Sequence, residues 1–320
     1  MRIVVLDGYT LDMGQPSQWA ELEMLGEVVV YPRTPAEQTI VRCRGAALVM
    51  TNKVVLDAGV LAGLPELRYI GLCSTGTNAV ALDVARDRGI AVSNVPGYST
   101  ESVAELVFAM VLHFAFDVAG HSAAVKRRQW AAGPDFCFQL RPSMEIAGKT
   151  MVVVGMGAIG GAVARMAGAF GMRVVAAAVP GSPRSTDRVP LERALPEADV
   201  VTLHCPLTSG TAGMVNSDFL ARLKAGAIVI NTSRGGVVNE SDMVTALAAG
   251  HLGGFASDVL AQEPPSPHHP LTDPAAPWAD RVVITPHLAW LTVEARARLR
   301  HEIAENLAAF LRGERRNRIV

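Results

Sequence analysis

Three side chains with complementary chemistry follow three successive predicted strands in the second half of the chain. Arg234, Glu263 and His287 each lie a few residues beyond a strand. An arginine can clamp a carboxylate through two hydrogen bonds and polarise a neighbouring carbonyl, and a histidine can give a proton to that carbonyl's oxygen. A glutamate beside the histidine can hold one tautomer and raise the pKa of the imidazole. The set predicts a site that binds a keto acid and protonates it.

A glycine-rich turn supplies the second element of that chemistry. An apolar strand, Met151–Val154, is followed by Gly155-Met-Gly157-Ala-Ile-Gly160 and a predicted helix over 158–170. In such a turn the first glycine permits the sharp bend, the second lets the backbone approach a pyrophosphate, and the third packs helix against strand. A turn without a ligand is the alternative. Six strands in sequence favour a dinucleotide site, with Ala158 and Ile159 in the helix N-terminus that faces the phosphates.

The next strand ends without the acidic residue that usually binds the ribose 2′-hydroxyl. Ala178 occupies the expected place, and Ser182, Arg184 and Ser185 follow in a loop with two prolines. A missing carboxylate no longer repels a 2′-phosphate, and these three residues could bind it. The sequence therefore favours NADP, with NAD as the alternative. Arg184 as a plain surface residue also remains open.

Strands and helices alternate along the whole chain, which predicts an α/β fold with parallel sheets. The strands are apolar on both faces, as strands covered by helices should be. The predicted strands are Ile3–Leu6, Val28–Tyr31, Ala47–Met50, Leu67–Leu72, Ile90–Ser93, Met151–Val154, Val174–Ala177, Val200–His204, Ala227–Asn231, Gly254–Asp258 and Val282–Thr285.

A long helix over about 101–119 separates these strands into two sets, and a second long helix, over about 292–311, follows the second set. We expect a Rossmann-type doubly wound sheet inserted into a second, smaller α/β domain. The dinucleotide-binding domain would comprise 100–288 and the substrate domain 1–99 plus 289–320, with hinges near Thr100 and Ala289 around a closing cleft. Residues 121–148 belong to neither sheet.

Composition narrows the function classes. At 320 residues, two domains are the natural expectation. A formal net charge of −1 gives no reason to expect nucleic acid or a membrane surface as a partner. The four cysteines show no metal or redox spacing and no signal peptide is visible, so we expect a cytoplasmic protein. The adjacent His268 and His269 lie in a proline-rich loop and are predicted to be solvated; no metal site is expected.

With these motifs in place, the chain resembles the D-specific 2-hydroxyacid dehydrogenases over nearly its whole length. The resemblance rests on the Gly155–Gly160 turn and on four further segments. These segments are His204–Thr208, Asn231–Gly236, Asp258 with Glu263-Pro264, and Thr285–His287. Five other stretches are similar to the glycerate dehydrogenase, or hydroxypyruvate reductase, branch of the family. They are Val4–Leu11, Ser74–Asn78, Asn94–Thr100, Asp135–Phe138 and His287–Trp290.

The resemblance implies a role for each matching residue. It makes Arg234 the substrate-binding cation and Glu263 with His287 the proton-transfer pair. It adds the loop with Thr75 and Gly76 as a substrate-binding element and implies a flavodoxin-like fold for the smaller domain. The further cofactor-binding residues that it implies are Pro206, Thr211, Thr232, Ser233 and Asp258, the last at the nicotinamide carboxamide. It also implies a homodimer joined through the cofactor domain, with 121–148 as an arm.

The leading hypothesis is reduction of hydroxypyruvate or glyoxylate by NAD(P)H to the D-hydroxy acid. The same fold could instead act on another 2-keto acid or on an oxyanion such as phosphite. A dinucleotide-sensing, corepressor-like binding protein is an alternative of another class. The presence of Arg234, Glu263 and His287 together favours the enzyme.

Overall fold

The computed structural model describes residues 1–183 and 187–320. It divides into two compact units, Met1–Ser99 with Trp290–Val320, and Thr100–Ala289. Each of the eleven predicted strands is present, and no end differs from the prediction by more than two residues. The strands are β1 Arg2–Val5, β2 Glu27–Val30, β3 Leu48–Thr51, β4 Tyr69–Leu72, β5 Ala91–Ser93, β6 Thr150–Val154, β7 Arg173–Ala177, β8 Val200–Leu203, β9 Ile228–Asn231, β10 Gly254–Ser257 and β11 Val282–Ile284.

Helices connect these strands. The α-helices are Tyr9–Asp12, Ala20–Glu23, Thr39–Cys43, Ala58–Ala62, Leu82–Asp87, Thr100–Phe116, Val118–Lys126, Gln129–Ala132, Ala158–Ala169, Leu191–Ala194, Ser217–Ala221, Glu240–Ala248 and Val293–Leu311. Short 3₁₀ helices are Pro16–Trp19, Ala36–Gln38, Leu195–Glu197, Gly235–Val237, Pro270–Thr272 and Ala279–Arg281.

The first unit contains a five-stranded parallel sheet in the order β2-β1-β3-β4-β5. This is the flavodoxin-like order. Side chains alternate along each strand, so Ile3 and Val5 join one core while Val4 and Leu6 join the other. The helix Val293–Leu311 covers the first of these faces with Leu299, Ile303 and Leu307, among others. Both faces of the sheet are therefore buried.

The second unit contains a six-stranded parallel sheet in the order β11-β10-β9-β8-β6-β7. An isolated parallel bridge pairs Ala177, in β7, with Val189. The segment at Val189 thus lies beside β7 at that edge of the sheet. If this segment is numbered as strand 3, with β6 as 1, β7 as 2, β8 as 4, β9 as 5 and β10 as 6, the sheet has the Rossmann order 3-2-1-4-5-6. Strand order reverses between β6 and β8, the place where such sheets bind nucleotides. The predicted doubly wound α/β fold is confirmed.

The apolar helix Thr100–Phe116 is shorter than the sequence predicts. Its side chains Val107, Val111 and Phe114 are buried in one core of the second sheet. The helix stops because Asp117 adopts a left-handed backbone conformation with φ 44°, and its carboxylate then caps Val118–Lys126 by accepting the Gly120 N–H at 3.2 Å. The apolar pattern continues across this bend, so the predicted helix to residue 119 is wrong at its end.

Within the part of the chain that the structure describes, no single helix is long and apolar enough to cross a membrane. The pair Thr100–Phe116 and Val118–Lys126, bent by 55°, passes that test only when both are taken together, by length and composition.

Candidate active site

The glycine turn after β6 has the backbone geometry of a phosphate cradle. Gly155 has φ 99°, and a Cβ there would lie 2.7 Å from the carbonyl of His204. A Cβ on Gly160 would collide with the Gly155 carbonyl oxygen, so the helix packs tightly on the turn. Around Gly157, by contrast, no described atom lies within 4 Å of an added Cβ. The backbone of the turn is therefore packed against the protein at Gly155 and Gly160, while the space around Gly157 is open.

The helix Ala158–Ala169 begins directly after this open glycine. Gly157 is its N-cap residue, and Gly161 makes the first bond back to the Gly157 carbonyl at 2.9 Å. The N–H groups of Ala158, Ile159 and Gly160 precede that bond and have no partner within the helix. Together with the helix dipole they form an anion-binding end at the reversal of strand order. These features fit the pyrophosphate of a dinucleotide.

The segment after β7 contains the residues proposed for a 2′-phosphate. The Ala178 N–H donates to the Val189 carbonyl oxygen at 2.8 Å, so the backbone there continues the sheet edge. Ser182 is exposed, and its N–H donates to the Val179 carbonyl oxygen at 3.1 Å. Arg184 and Ser185 lie outside the described residues.

The loop after β8 is stabilised by a buried threonine. The Thr211 hydroxyl donates to the Pro206 carbonyl oxygen at 2.6 Å and accepts the Thr208 N–H at 2.8 Å. Since Thr211 is fully buried, its hydroxyl is engaged in holding the loop. Pro206 is exposed at the same loop.

His204 connects the ends of two strands beside the glycine turn. Its Nε2 lies 2.8 Å from the Thr202 hydroxyl, and its Nδ1 lies 3.5 Å from the Thr232 hydroxyl. Burial lowers the pKa of His204 to about 4, so the ring is neutral near pH 7. The sequence predicted no separate role for this histidine, which belongs to the segment His204–Thr208. A histidine one residue past a buried strand is the signal that could have identified it.

Arg234 is positioned by a turn that Asn231 closes. The buried Asn231 amide donates to the Arg234 carbonyl oxygen at 3.0 Å, and its own oxygen accepts from both the N–H and the hydroxyl of Ser233. The Arg234 side chain is exposed and donates to the Ser233 carbonyl oxygen at 2.8 Å. The adjoining Gly235 has no room for a side chain because the Leu260–Ala261 peptide lies against it.

Glu263 and His287 form a hydrogen-bonded pair. His287 Nδ1 lies 2.6 Å from Glu263 Oε2, while Glu263 Oε1 accepts the Leu260 N–H at 3.1 Å. A carboxylate accepts only, so the Nδ1 proton belongs to the imidazole. That arrangement fixes the tautomer and leaves Nε2 as the nitrogen for proton exchange. His287 itself has φ 51°, so the chain turns sharply there.

Asp258 holds the segment that carries His287. Its carboxylate accepts the Thr285 hydroxyl at 2.6 Å and the N–H groups of Leu288 and Ala289, each at 2.9 Å. Burial raises the pKa of Asp258, and these three donors and the charge of His287 oppose that rise. The family resemblance assigns Asp258 to the cofactor, whereas the described contacts bind both its oxygens to the His287 loop.

The three predicted catalytic residues thus follow β9, β10 and β11, which are neighbours in one sheet. Two of them, Glu263 and His287, are in direct contact. Arg234 adjoins them through Gly235 and the Leu260–Ala261 peptide. The chemistry available in this part of the second unit is an exposed guanidinium and a carboxylate-supported imidazole, at the edge where parallel sheets bind ligands.

The loop with Thr75 and Gly76 belongs to the first unit and follows β4. The Thr75 hydroxyl donates to the Val95 carbonyl oxygen at 2.8 Å, and the Asn94 amide donates to the Thr75 carbonyl oxygen at 2.7 Å. The Ser74 hydroxyl donates to the Gly76 carbonyl oxygen at 2.8 Å. These bonds fix the loop, and the Thr75 hydroxyl is already bound to the segment that follows β5.

Comparison with known proteins decides the family. Residues 108–289, more than half of the chain, match the NAD binding domain of the D-isomer specific 2-hydroxyacid dehydrogenases. The chain belongs to this family. The match to the family's NAD binding domain and the open glycine turn both indicate a dinucleotide site. The chain is therefore an NAD(P)-dependent oxidoreductase of the D-2-hydroxyacid dehydrogenase class.

Relatives within this dehydrogenase family extend the match to the whole chain. A hydroxypyruvate reductase of Blautia hydrogenotrophica is 38% identical, with 98% of each chain covered. A glycerate dehydrogenase of Methylorubrum extorquens is 35% identical, covering 99% of this chain and 98% of the relative.

Solved structures match the dehydrogenase as well. The TT0316 protein from Thermus thermophilus superimposes with a TM-score of 0.85 and 36% identity, and each chain is fully covered. An NADPH-dependent glyoxylate/hydroxypyruvate reductase from Sinorhizobium meliloti, in complex with NADP and malonate, has a TM-score of 0.80 and 27% identity. That match covers 97% of this chain and 93% of the other.

One histidine differs from the sequence-based expectation. His268 is exposed, as predicted. The prediction that His269 is solvated is wrong: its side chain is 12% exposed, and its Nε2 lies 3.1 Å from Glu240 Oε2. Nothing in the local sequence reveals this contact, because Glu240 and His269 are brought together only by the fold.

Among residues 1–183 and 187–320, no three His, Cys, Asp or Glu side chains form a group that could hold a metal ion.

Proposed function

We propose that this dehydrogenase reduces hydroxypyruvate or glyoxylate with NAD(P)H, giving D-glycerate or glycolate. The observation that carries the proposal is the 2.6 Å contact between His287 Nδ1 and Glu263 Oε2, two strands along from the Arg234 turn. The substrate class follows the relatives named hydroxypyruvate reductase, glycerate dehydrogenase and glyoxylate/hydroxypyruvate reductase.

The proposed reaction assigns one task to each of three side chains. Arg234 binds the carboxylate of the keto acid and polarises its C2 carbonyl. His287, as imidazolium, gives the Nε2 proton to the carbonyl oxygen and is left as the neutral Nδ1–H tautomer. Glu263 stabilises the imidazolium through the Nδ1–H bond and keeps the ring oriented. One keto acid, one hydride and one proton give one hydroxy acid.

The cofactor would be held by Gly155, Gly157 and the helix N-terminus at Ala158–Gly160. Bound NAD(P)H supplies the hydride. The resemblance adds Pro206, Thr211, Thr232, Ser233 and Asp258 as cofactor-binding residues, and Thr75 with Gly76 as substrate-binding residues; these roles remain part of the proposal. Residues 1–99 with 289–320 would form the substrate domain, and 100–288 the dinucleotide-binding domain.

A homodimer is also part of the proposal, joined through the cofactor domain with 121–148 as an arm. Phe136 in that segment is 90% exposed and Trp130 is 50% exposed. Exposed aromatic side chains are enriched at contact surfaces. We expect light scattering at micromolar concentration to give twice the mass of one chain. A monomer would contradict the proposal that 121–148 is a dimer arm.

A cytoplasmic location is also part of the proposal. It agrees with the free state of all four cysteines.

The function is tested by assaying the purified protein with a panel of 2-keto acids, each with NADPH and with NADH. Phosphite is assayed in the oxidising direction, with NADP⁺ and with NAD⁺. We expect hydroxypyruvate and glyoxylate to give the highest kcat/KM. Preference for a different keto acid, or for phosphite, would retain the proposed hydride transfer and change the proposed substrate. Cofactor binding without turnover on any substrate would favour a dinucleotide-sensing protein.

A further inference from the structure

A second glutamate–histidine pair lies close in sequence to the proposed catalytic pair. Glu240, the first residue of the helix Glu240–Ala248, contacts His269 in the loop that follows Glu263. The two side chains are 20% and 12% exposed, so both are mostly buried. Neither residue is part of the machinery assigned above.

The hydrogen bonds of His269 define its protonation. Its Nδ1 accepts the Leu271 N–H at 3.3 Å, which requires an unprotonated Nδ1. The neutral ring therefore carries its proton on Nε2 and donates it to Glu240 Oε2 at 3.1 Å. Leu271 is 4% exposed and packs in the core, so the histidine is anchored from that side.

Glu240 links the anchored His269 to the backbone beside the proposed active site. Its other oxygen, Oε1, accepts the Ala261 N–H at 2.9 Å. The preceding residue, Leu260, donates its N–H to Glu263 Oε1 at 3.1 Å. The same Leu260–Ala261 peptide lies against Gly235, the residue after Arg234. A displacement of Leu260 and Ala261 would therefore move the supports of both Glu263 and Arg234.

We propose that Glu240 and His269 are positioning residues for the proton-transfer pair. They hold the Leu260–Ala261 peptide in place through the Ala261 N–H, and Leu260, whose own N–H binds Glu263 Oε1, then holds Glu263 against His287. This inference rests on the proposed reductase function. A misplacement of about 1 Å, even from a change outside the reacting groups, can lower turnover by about 100-fold.

The two adjacent histidines offer matched variants. His269→Asn keeps an oxygen that can cap the Leu271 N–H, but its shorter side chain no longer brings an N–H donor to Glu240. His269→Gln keeps an N–H that can reach Glu240 but loses the cap. We expect kcat to fall about 10- to 100-fold in His269→Asn and Glu240→Ala, and less in His269→Gln. His268→Asn, at the exposed neighbour, serves as the control and should keep wild-type kcat.

A double-mutant cycle tests whether the effect passes through Glu263. Glu240→Ala should lower kcat strongly in the wild-type background and about two-fold or less in Glu263→Gln, with the KM of the keto acid and the Kd of NADPH little changed. Equal losses in the two backgrounds would overturn the proposal, as would full kcat in both Glu240→Ala and His269→Asn. If Glu240→Ala does not fold, the cycle is run with His269→Asn.

A readout without turnover separates this inference from the reductase proposal. In the apoprotein, imidazole ¹⁵N shifts should report the Nδ1–H tautomer of His287 in the wild type and a mixture of tautomers in His269→Asn. An unchanged tautomer would overturn the positioning role. A wild-type protein inactive on every substrate would overturn the reductase proposal alone, because the tautomer measurement still stands.

Discussion

The Asp258 carboxylate accepts the backbone N–H of Ala289 at 2.9 Å, and the segment bridged by this bond includes His287. The Thr285 hydroxyl and the Leu288 N–H bind the same carboxylate. In addition, the His287 N–H donates to the Asp258 carbonyl oxygen at 2.9 Å. One buried aspartate therefore fixes the segment on both sides of the proposed proton donor.

Replacing Asp258 with asparagine tests this role. The amide is isosteric, but its NH₂ group replaces one acceptor, so it faces an N–H donor. We expect the free energy of unfolding to fall by about 1–3 kcal/mol, measured by urea denaturation, together with a lower kcat. Unchanged stability with a weaker Kd for the cofactor would instead favour the nicotinamide contact that the family resemblance assigns to Asp258.

Strand pattern and glycine spacing predicted most of the fold. The second sheet is buried on both faces, which makes its strands read as continuous apolar runs such as Met151–Val154. The glycine turn was predictable because Gly155 and Gly160 occupy positions where a side chain would collide with backbone. These are local constraints, and local constraints are visible in one sequence.

Long-range contacts were not predictable in the same way. The Glu240–His269 contact joins residues that are far apart in the chain, and the order of strands alone does not place them together. The bend at Asp117 was missed since apolar residues continue on both sides of it. The cluster of Arg234, Glu263 and His287 could be proposed only because neighbouring parallel strands end at the same edge.

His204 gives a pH-dependent contribution to stability. Its pKa is about 4 in the folded protein, lowered by burial from 6.5. A depressed folded pKa means that this contribution is complete above pH 6.5 and is lost as the pH falls toward 4. The loss amounts to about 3 kcal/mol.

Urea denaturation of the wild type and of His204→Gln measures this contribution. Between about pH 7 and about pH 4.5 the wild type should lose roughly 2–3 kcal/mol more than the variant, because glutamine does not titrate. His113, whose pKa burial also lowers from 6.5, titrates in the same window but is present in both proteins and cancels in the difference. Parallel pH dependence in the two proteins would show that His204 is protonated at its ordinary pKa.

The residue that follows β7 predicts the cofactor preference. With Ala178 in place of a carboxylate, we expect NADPH to be used at least as well as NADH. Removing a charge-assisted bond costs about 1.5–3 kcal/mol. Arg184→Ala should therefore raise the Kd of NADPH roughly 10- to 100-fold and leave that of NADH almost unchanged.

Ala178→Asp is the matched variant, since it restores the acidic position and should shift preference toward NADH. Fluorescence titration with each cofactor measures both variants. Equal effects of Arg184→Ala on the two cofactors would show that this residue does not contact the 2′-phosphate. A wild type that strongly prefers NADH would mean that backbone near Val179–Gly181 holds the ribose instead.

The kcat of His287→Ala for hydroxypyruvate with NADPH, measured beside the wild type, tests whether His287 is the proton donor. We expect the wild type to form D-glycerate and the variant to turn over at least about 100-fold more slowly. The Kd of NADPH should be unchanged, because the glycine cradle is intact. Near-normal turnover in the variant would show that another group supplies the proton and that His287 is not the donor.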